Sequence, residues 1–350
     1  MNEQSDLGKR GRGVAPTLAD VARTAGVSVS TAGRVLRDQG WPVEEGLKQR
    51  VLAAAAQLAY VPNVMARTLR GGAPAAVGLI VGNMLDPYYG EIAEIVTKHA
   101  EQMAGKMLVM VCNMQRDPAL EIDYCRRLWE HRVAGLILAG GGFDQTTRHD
   151  ELAELLARME RSGVTITTLS PRGLPSPEFS VDHEEVGRMA AQELIASNHR
   201  RVGVFIGAHE TIVLGQRLRG ATDTLDAAGV TYRIARPAPG SRGEEAIAEM
   251  FAADPGITGV IAASSLMSAR VVGAVTATGR SVPQDVSVVG IGGAALAEWS
   301  PLKLTRIDLD LSACGRAALD HIATQVTGGE DHAPAPLQPR LVRGDSVRSL

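Results

Sequence analysis

The sequence predicts an α/β protein in which a small all-helical head precedes a two-lobed core of doubly wound parallel sheets. Three observations carry this expectation. From Ala75 onward, short apolar runs alternate with amphipathic segments of helix length, the pattern of strands joined by helical crossovers. Before residue 61, apolar residues recur at three- and four-residue spacing, punctuated by a glycine and by capping side chains. Of the 350 residues, 45% are hydrophobic but only 3% aromatic, so Val, Leu, Ile and Ala must fill the core, as suits strands covered by helices on both faces. The length implies two or three domains.

Residues 1–16 are polar and read as a disordered basic arm, whose Lys9, Arg10 and Arg12 either reach phosphates or stay solvated. Thr17 and Asp20 form a capping box with Asp in place of the usual Glu. Leu18, Val21, Ala22 and Ala25 give the first helix an apolar face, and Gly26 ends it in a left-handed conformation. Ser28 caps a second helix that carries Ala32, Val35 and Leu36 on one side and Val29, Ser30, Gly33 and Arg34 on another. Two short helices on a tight turn make a helix-turn-helix, whose second helix enters the DNA major groove with its N-terminal residues at base edges. A third helix runs to about Ala59 with Leu47, Val51, Ala55 and Leu58 inward, despite Gly46 near its start. Pro62 and Asn63 then start a short helix from Val64 to Arg70, stopped by Gly71, Gly72 and Pro74. Seven residues fall below the roughly 12 to 15 that a lone helix needs in water, so this segment orders only when something packs on it.

The core opens with strands at Val77–Val81, Met107–Val111, Val133–Leu138 and Val164–Leu169, separated by helices near 90–103, 119–131 and 150–162. A second set follows at Arg201–Ile206, Gly259–Ala263 and Val286–Ile291, with helices near 184–196, 215–228, 244–253 and 265–278. Two such sheets imply two lobes, with a ligand cleft at the carboxyl ends of the strands. The Pro-rich stretch Ala333–Pro339 reads as irregular.

Charge divides unevenly. Up to Gly72 there are 10 Lys and Arg against 6 Asp and Glu, net +4; the remainder holds 26 against 33, net −7. That asymmetry places a phosphate-facing head on an acidic body. Cys112, Cys125 and Cys314 are odd in number, far apart and without metal-ligand spacing, which predicts inert thiols in a reducing compartment. No apolar run reaches the roughly 18 residues of a membrane span and no secretory h-region opens the chain, so the expectation is a cytoplasmic protein with no membrane partner.

Thr17-Leu-x-Asp-Val-Ala, Ala25-Gly-Val-Ser, Thr31 with Arg34-Val-Leu36, and Tyr60-Val-Pro-Asn63 with Ala66-Arg-x-Leu69 resemble the head of the LacI/GalR transcription regulators. The resemblance continues to about Gly329. It implies an operator-binding homodimer, or a higher oligomer, that reads a pseudo-palindromic double-stranded site as a repressor, with a small-molecule effector between the lobes of a periplasmic-binding-protein-like core. The implied domains are the arm at 1–16, the helix-turn-helix domain at 17–61, a hinge helix and linker at 62–74, and a core at 75–343. Within the core, lobe 1 covers about 75–175 and 305–343 and lobe 2 about 176–304, the last strands returning to the first lobe.

The resemblance assigns base reading to Val29, Ser30 and Arg34. Valine offers apolar contact, serine weak readout, and arginine bidentate pairing with guanine. Thr17, Ser28, Thr31 and Asn63 match phosphate contacts. Ala66 and Leu69 fall in the hinge helix, Leu69 where the family drives an apolar wedge into the minor groove. Gly33 and Glu44 stand where the family usually has serine. In the cleft the resemblance points to Asp86, Tyr88 and Tyr89 after the first strand, and to Arg217, Ser264, Ser265 and Gly292. Tyrosines can stack on a ring and Arg217 can grip a carboxylate or hydroxyl pair. Ser264-Ser265 replaces the family's Asn-Asp, and Gly292-Gly293 its Asp-Asp. Losing that carboxylate removes a charge-assisted acceptor for sugar hydroxyls, so the expected effector is an anion or a less polar molecule rather than an ordinary sugar.

Two other classes have partial signals. Gly290-Ile-Gly-Gly-Ala-Ala295 with Asp308 and Asp310 downstream mimics a dinucleotide fingerprint, the mark of an NAD-dependent oxidoreductase, but Pro301 leaves too short a helix after the glycines. His183-Glu-Glu-Val lacks the second histidine of a zinc helix, and no catalytic, metal or cofactor constellation stands out. A solute-binding receptor without a DNA role is opposed by the positively charged head.

Overall fold

Helix α1 (Leu18–Ala25) begins at the capping box: Asp20 N donates to Thr17 Oγ1 at 3.3 Å and Thr17 N to Asp20 Oδ2 at 2.9 Å. The computed structural model describes residues 16–36, 43–61, 76–103, 106–140, 142, 148–208, 211–293, 302–329 and 337–350. Gly26 turns the chain at φ 66°, ψ 39°, a left-handed conformation that costs glycine nothing. Ser28 Oγ then accepts from Thr31 N at 3.0 Å and starts α2 (Val29–Val35). Helix α3 (Glu45–Gln57) closes a core of Val21, Ala22, Ala25, Ala32, Val35, Val51, Ala54 and Ala55. Most of these are alanines, so short helices can approach closely with few large side chains. Gly33, expected beside Val29 and Arg34 on the outward side, is buried instead. The arm before Pro16 and the hinge segment, with Asn63, Ala66 and Leu69, lie outside the described residues.

The chain separates into two compact units, residues 1–72 and 73–350. The second holds two sheets. In the first, β1 (Ala76–Val81), β2 (Leu108–Asn113), β3 (Gly135–Leu138) and β4 (Thr165–Thr168) run parallel in the order β2-β1-β3-β4. Helices α4 (Pro87–Gln102), α5 (Pro118–Glu130) and α6 (Arg148–Arg161) connect them. Strand β2 is an edge with Leu108 and Val111 exposed, unlike the fully covered strands the composition implied.

The second sheet has six strands in the order β10-β9-β8-β7-β5-β6. These are β5 (Arg201–Phe205), β6 (Thr231–Ala235), β7 (Gly259–Ala262), β8 (Ser287–Ile291), β9 (Thr305–Asp308) and the antiparallel β10 (Arg340–Val342). Its helices are α7 (His183–Ala196), α8 (Ile212–Ala227), α9 (Glu244–Ala253) and α10 (Ser265–Ala277). Strand β6 escapes the sequence reading because Thr231, Arg233 and Ile234 are exposed and leave no apolar run.

The last strands do not return to the first lobe as expected. β9 pairs in parallel with β8, Val289 opposite Thr305, and β10 pairs with β9. What does return is α11 (Leu311–Thr327), which packs on α4, β3 and β4 through Ala318, Leu319 and Ile322. The reason is local: Ile307 is fully buried in the second sheet, while the apolar stripe of α11 fits the first. Residues beyond 343 also belong to the core. Ser346 Oγ donates to Val288 O at 2.6 Å and accepts from Thr305 N at 2.8 Å, stitching the tail across β8 and β9.

Helices α7 and α8 touch backbone to backbone. A Cβ at Gly187 would strike the Arg217 carbonyl, and one at Gly220 the Glu184 carbonyl. Gly90 on α4, by contrast, has open space at its Cβ position. Gly220→Ala is therefore expected to lower stability by about 1 to 3 kcal/mol, whereas Gly90→Ala should be neutral or stabilise by up to about 1 kcal/mol. Urea denaturation of the two variants checks the contrast, and equal effects would remove the helix contact as a constraint.

Candidate functional site

On the head, the turn at Gly26 presents the first residues of α2 outward. Val29 is 45% exposed, and Ser28, Ser30 and Arg34 are exposed as well. Ser30 and Arg34 are four residues apart and so share a face of the helix. The Ser28 and Thr31 hydroxyls lie 2.8 Å apart. One proton serves that bond, and the other is left to donate to an outside acceptor such as a phosphate oxygen. The Thr17 hydroxyl is instead committed, donating to Asp20 Oδ2 at 2.7 Å, while Arg23 also pairs with Asp20. That makes Thr17 first of all a helix cap.

In the core unit, a cavity of about 340 Å³ opens where the carboxyl ends of both sheets meet. All seven cleft residues singled out from the sequence line it: Asp86, Tyr88, Tyr89, Arg217, Ser264, Ser265 and Gly292. They come from the ends of β1, β7 and β8 and from α8, and only the fold brings them together. The lobes also touch directly, Ile212 N donating to Gly142 O at 2.9 Å.

Arg217 lies at the bottom of this cleft, buried on α8. Its Nη1 donates to Ala263 O at 2.7 Å, and Nε and Nη2 both approach His183 Nδ1 at 3.3 Å. Burial, with the adjacent guanidinium second, holds the His183 imidazole well below its ordinary pKa, so it is a neutral acceptor. Burial likewise pushes Arg217 down to about 10, which leaves it charged at neutral pH.

Asp86 caps α4 by accepting from Tyr88 N at 3.2 Å and faces Arg116 Nη2 at 3.5 Å. Burial raises its carboxyl pKa, against the Tyr88 hydrogen bond and the charges of Arg116, Arg270 and Arg217. Tyr88 and Tyr89 pack edge to face, 5.0 Å between ring centroids. Burial pushes both phenols up, Tyr89 to about 12, so both remain hydroxyl donors. The Tyr89 hydroxyl sits against Gly82, where a Cβ would strike it.

Gly292 adopts φ 151°, and a Cβ there would strike the Ser265 hydroxyl. A Cβ at Gly290 would come within 2.6 Å of Ser268 Oγ, and one at Gly293 would strike the Glu91 carboxylate. Close packing of α10 and α4 against the end of β8 thus accounts for the glycines that mimic a dinucleotide fingerprint. Arg116, Arg270, Ser170 and His183 were missed from the sequence. Arg116 follows the carboxyl end of β2, so the strand-end rule could have found it. Arg270, inside α10, and His183, behind the cleft wall, carry no such signal.

The N-terminal residues 17–63 match the family described as bacterial regulatory proteins, lacI family, and residues 178–347 match a periplasmic binding protein-like domain. The HTH-type transcriptional regulator CelR of Thermobifida fusca is 30% identical over 332 residues, 89% of this chain and 92% of CelR. The HTH-type transcriptional repressor PurR of Photobacterium profundum is 27% identical over 339 residues, 95% of this chain and 99% of PurR. A solved complex of the transcriptional regulator CelR with cellobiose superposes with a TM-score of 0.66 at 27% identity, over 95% of this chain and 99% of that one.

His183→Leu should destabilise the core by about 1 to 3 kcal/mol, because a buried charged donor loses its acceptor. In a double-mutant cycle with Arg217→Met, thermal denaturation should show coupling of about 0.5 to 3 kcal/mol; strict additivity would mean that the two side chains do not act as a pair.

Proposed function

This chain belongs to the LacI family of bacterial transcription regulators, and from that premise we propose that it is a dimeric repressor whose operator affinity is set by a small molecule in the interlobe cleft. Its DNA-binding role is that of the family. The observation that supports the reading of individual residues is the outward N-terminal turn of α2, with Val29, Ser30 and Arg34 exposed on a head of net charge +4. Arg34 is the strongest reader, through guanine. Ser28 and Thr31 position the helix on the backbone. Ser30 adds weak discrimination, and Val29 favours a thymine methyl. Two heads on a two-fold axis match two half-sites of a pseudo-palindrome.

The proposed division is a DNA-binding head at 17–61, a hinge and linker at 62–74, and a core that extends to Leu350. Leu69 is assigned the wedge role on the resemblance alone. The effector acts by favouring one arrangement of the lobes over another, and it shifts DNA binding only by its differential affinity for the two. The cellobiose complex of CelR supports this reading, since that relative binds a small molecule. Among the described residues, no helix is long and apolar enough to cross a membrane.

Selection of bound DNA from a random pool gives the operator. On it, Arg34→Ala is expected to cost about 1 to 3 kcal/mol and relax specificity at one base pair per half-site; unchanged affinity and sequence preference would remove Arg34 from the interface. Leu69→Ala should reduce the bend measured by circular-permutation electrophoresis more than it weakens nonspecific binding. An unbent wild-type complex would end the wedge assignment.

A further inference from the structure

The charges around the cleft are unbalanced. Arg116, Arg217 and Arg270 line it against a single carboxylate, Asp86, and no other acidic side chain lines it among the described residues. Glu91 fills the space beside Gly293 but does not line the cavity. Arg270 has no hydrogen bond or ion pair to a described residue, and its charge is felt at Asp86.

Two buried groups have unused hydrogen-bonding capacity. Arg217 engages three of its five N–H groups, all with neutral acceptors, so two remain. Ser170, also lining the cavity, has a buried Oγ with no hydrogen-bond partner among the described residues. Buried donors of this kind are normally satisfied, which marks the cavity as shaped around acceptors. In addition, α4, α8 and α10 all start at the cavity wall, their caps Asp86, Thr211 and Ser264 lining it. Their positive ends add to the guanidinium charges.

We propose that the effector carries an oxyanion, a carboxylate or phosphate on a hydroxylated body, and that Arg217 and Arg270 hold this group. The inference rests on the effector reading of the cleft and deepens it. Arg217 offers its two remaining N–H donors to the oxyanion, Arg270 adds charge from α10, and Ser170 donates its hydroxyl. Tyr88, Tyr89 and the serines face the body of the ligand. A neutral sugar would leave three cations facing one carboxylate, with no ligand charge to offset the excess.

The probes are inorganic phosphate, glucose 6-phosphate, glucuronate and glucose, each added to the full chain at constant ionic strength with chloride as the balancing anion. The shift in thermal midpoint reads binding. Inorganic phosphate is expected to stabilise the wild type in the millimolar range, and glucose 6-phosphate or glucuronate more strongly at equal concentration. Glucose should give no shift. Arg270→Gln should weaken the phosphate response at least tenfold, as should Arg217→Met, while Arg161→Gln on the surface of α6 leaves it unchanged. Whichever anionic sugar is stronger identifies the source of the oxyanion. No phosphate response, a response equal in all variants, or a shift by glucose as large as by the anions would overturn the proposal. Operator affinity measured with the same compounds is the separate arm: anion binding that leaves it unchanged would overturn the effector reading but keep the oxyanion site.

Discussion

A guanidinium buried without a bonded counter-ion is the constraint around which the core is arranged. Removing a charge from water is expensive, and in most interiors the partner is a carboxylate at bonding distance. Arg217 has a carbonyl and a neutral imidazole instead. This arrangement works only if His183 stays deprotonated, which its own burial ensures. It also requires α7 and α8 to lie close enough for His183 and Arg217 to meet, and the glycines at 187 and 220 permit that approach. The carboxylate whose charge is felt there, Asp86, comes from the other lobe. Charge compensation in the cleft therefore runs across the gap between the lobes, and any change in that gap alters its electrostatics.

Capping side chains serve twice in this protein. Ser28 starts the outward helix of the head and leaves a hydroxyl proton between itself and Thr31 for an outside acceptor. Asp86, Thr211 and Ser264 start three core helices and face the cavity as they do so. A residue that must be polar to begin a helix is thereby placed at the surface where recognition occurs. Such positions resist substitution for two reasons, since a replacement must both cap and recognise.

Much of this was legible in the chain. The periodicities located the regular elements of the core apart from β6, β9, β10 and α11, because buried parallel strands appear as unbroken apolar runs. β6 has Thr231, Arg233 and Ile234 in solvent and no such run. The pairing of β9 with β8 was hidden because a four-residue strand, Thr-Arg-Ile-Asp, looks the same in either lobe. In the head, Gly26 and Ser28 declared the turn, whereas the burial of Gly33 depends on neighbours that helical spacing does not reveal. The cleft residues were accessible through resemblance, and Arg116 through the end of its strand. Arg270 and His183 could not be found that way. A lone arginine within a helix and a histidine without a ligand partner acquire meaning only when the fold places Arg270 on the cavity wall and His183 against Arg217.

Gly292 and Ser265 occupy adjoining strand ends and share one volume. A side chain added to the first meets the Ser265 hydroxyl, which one rotation can move aside, but at φ 151° any residue other than glycine is strained, so regaining the carboxylate usual there in the family requires the backbone to shift. A lineage moving between these two cleft chemistries must therefore reshape the main chain at the end of β8 as well as the side chain it carries. The cleft chemistry of this regulator is thus held in place by backbone conformation as much as by the side chains that line it.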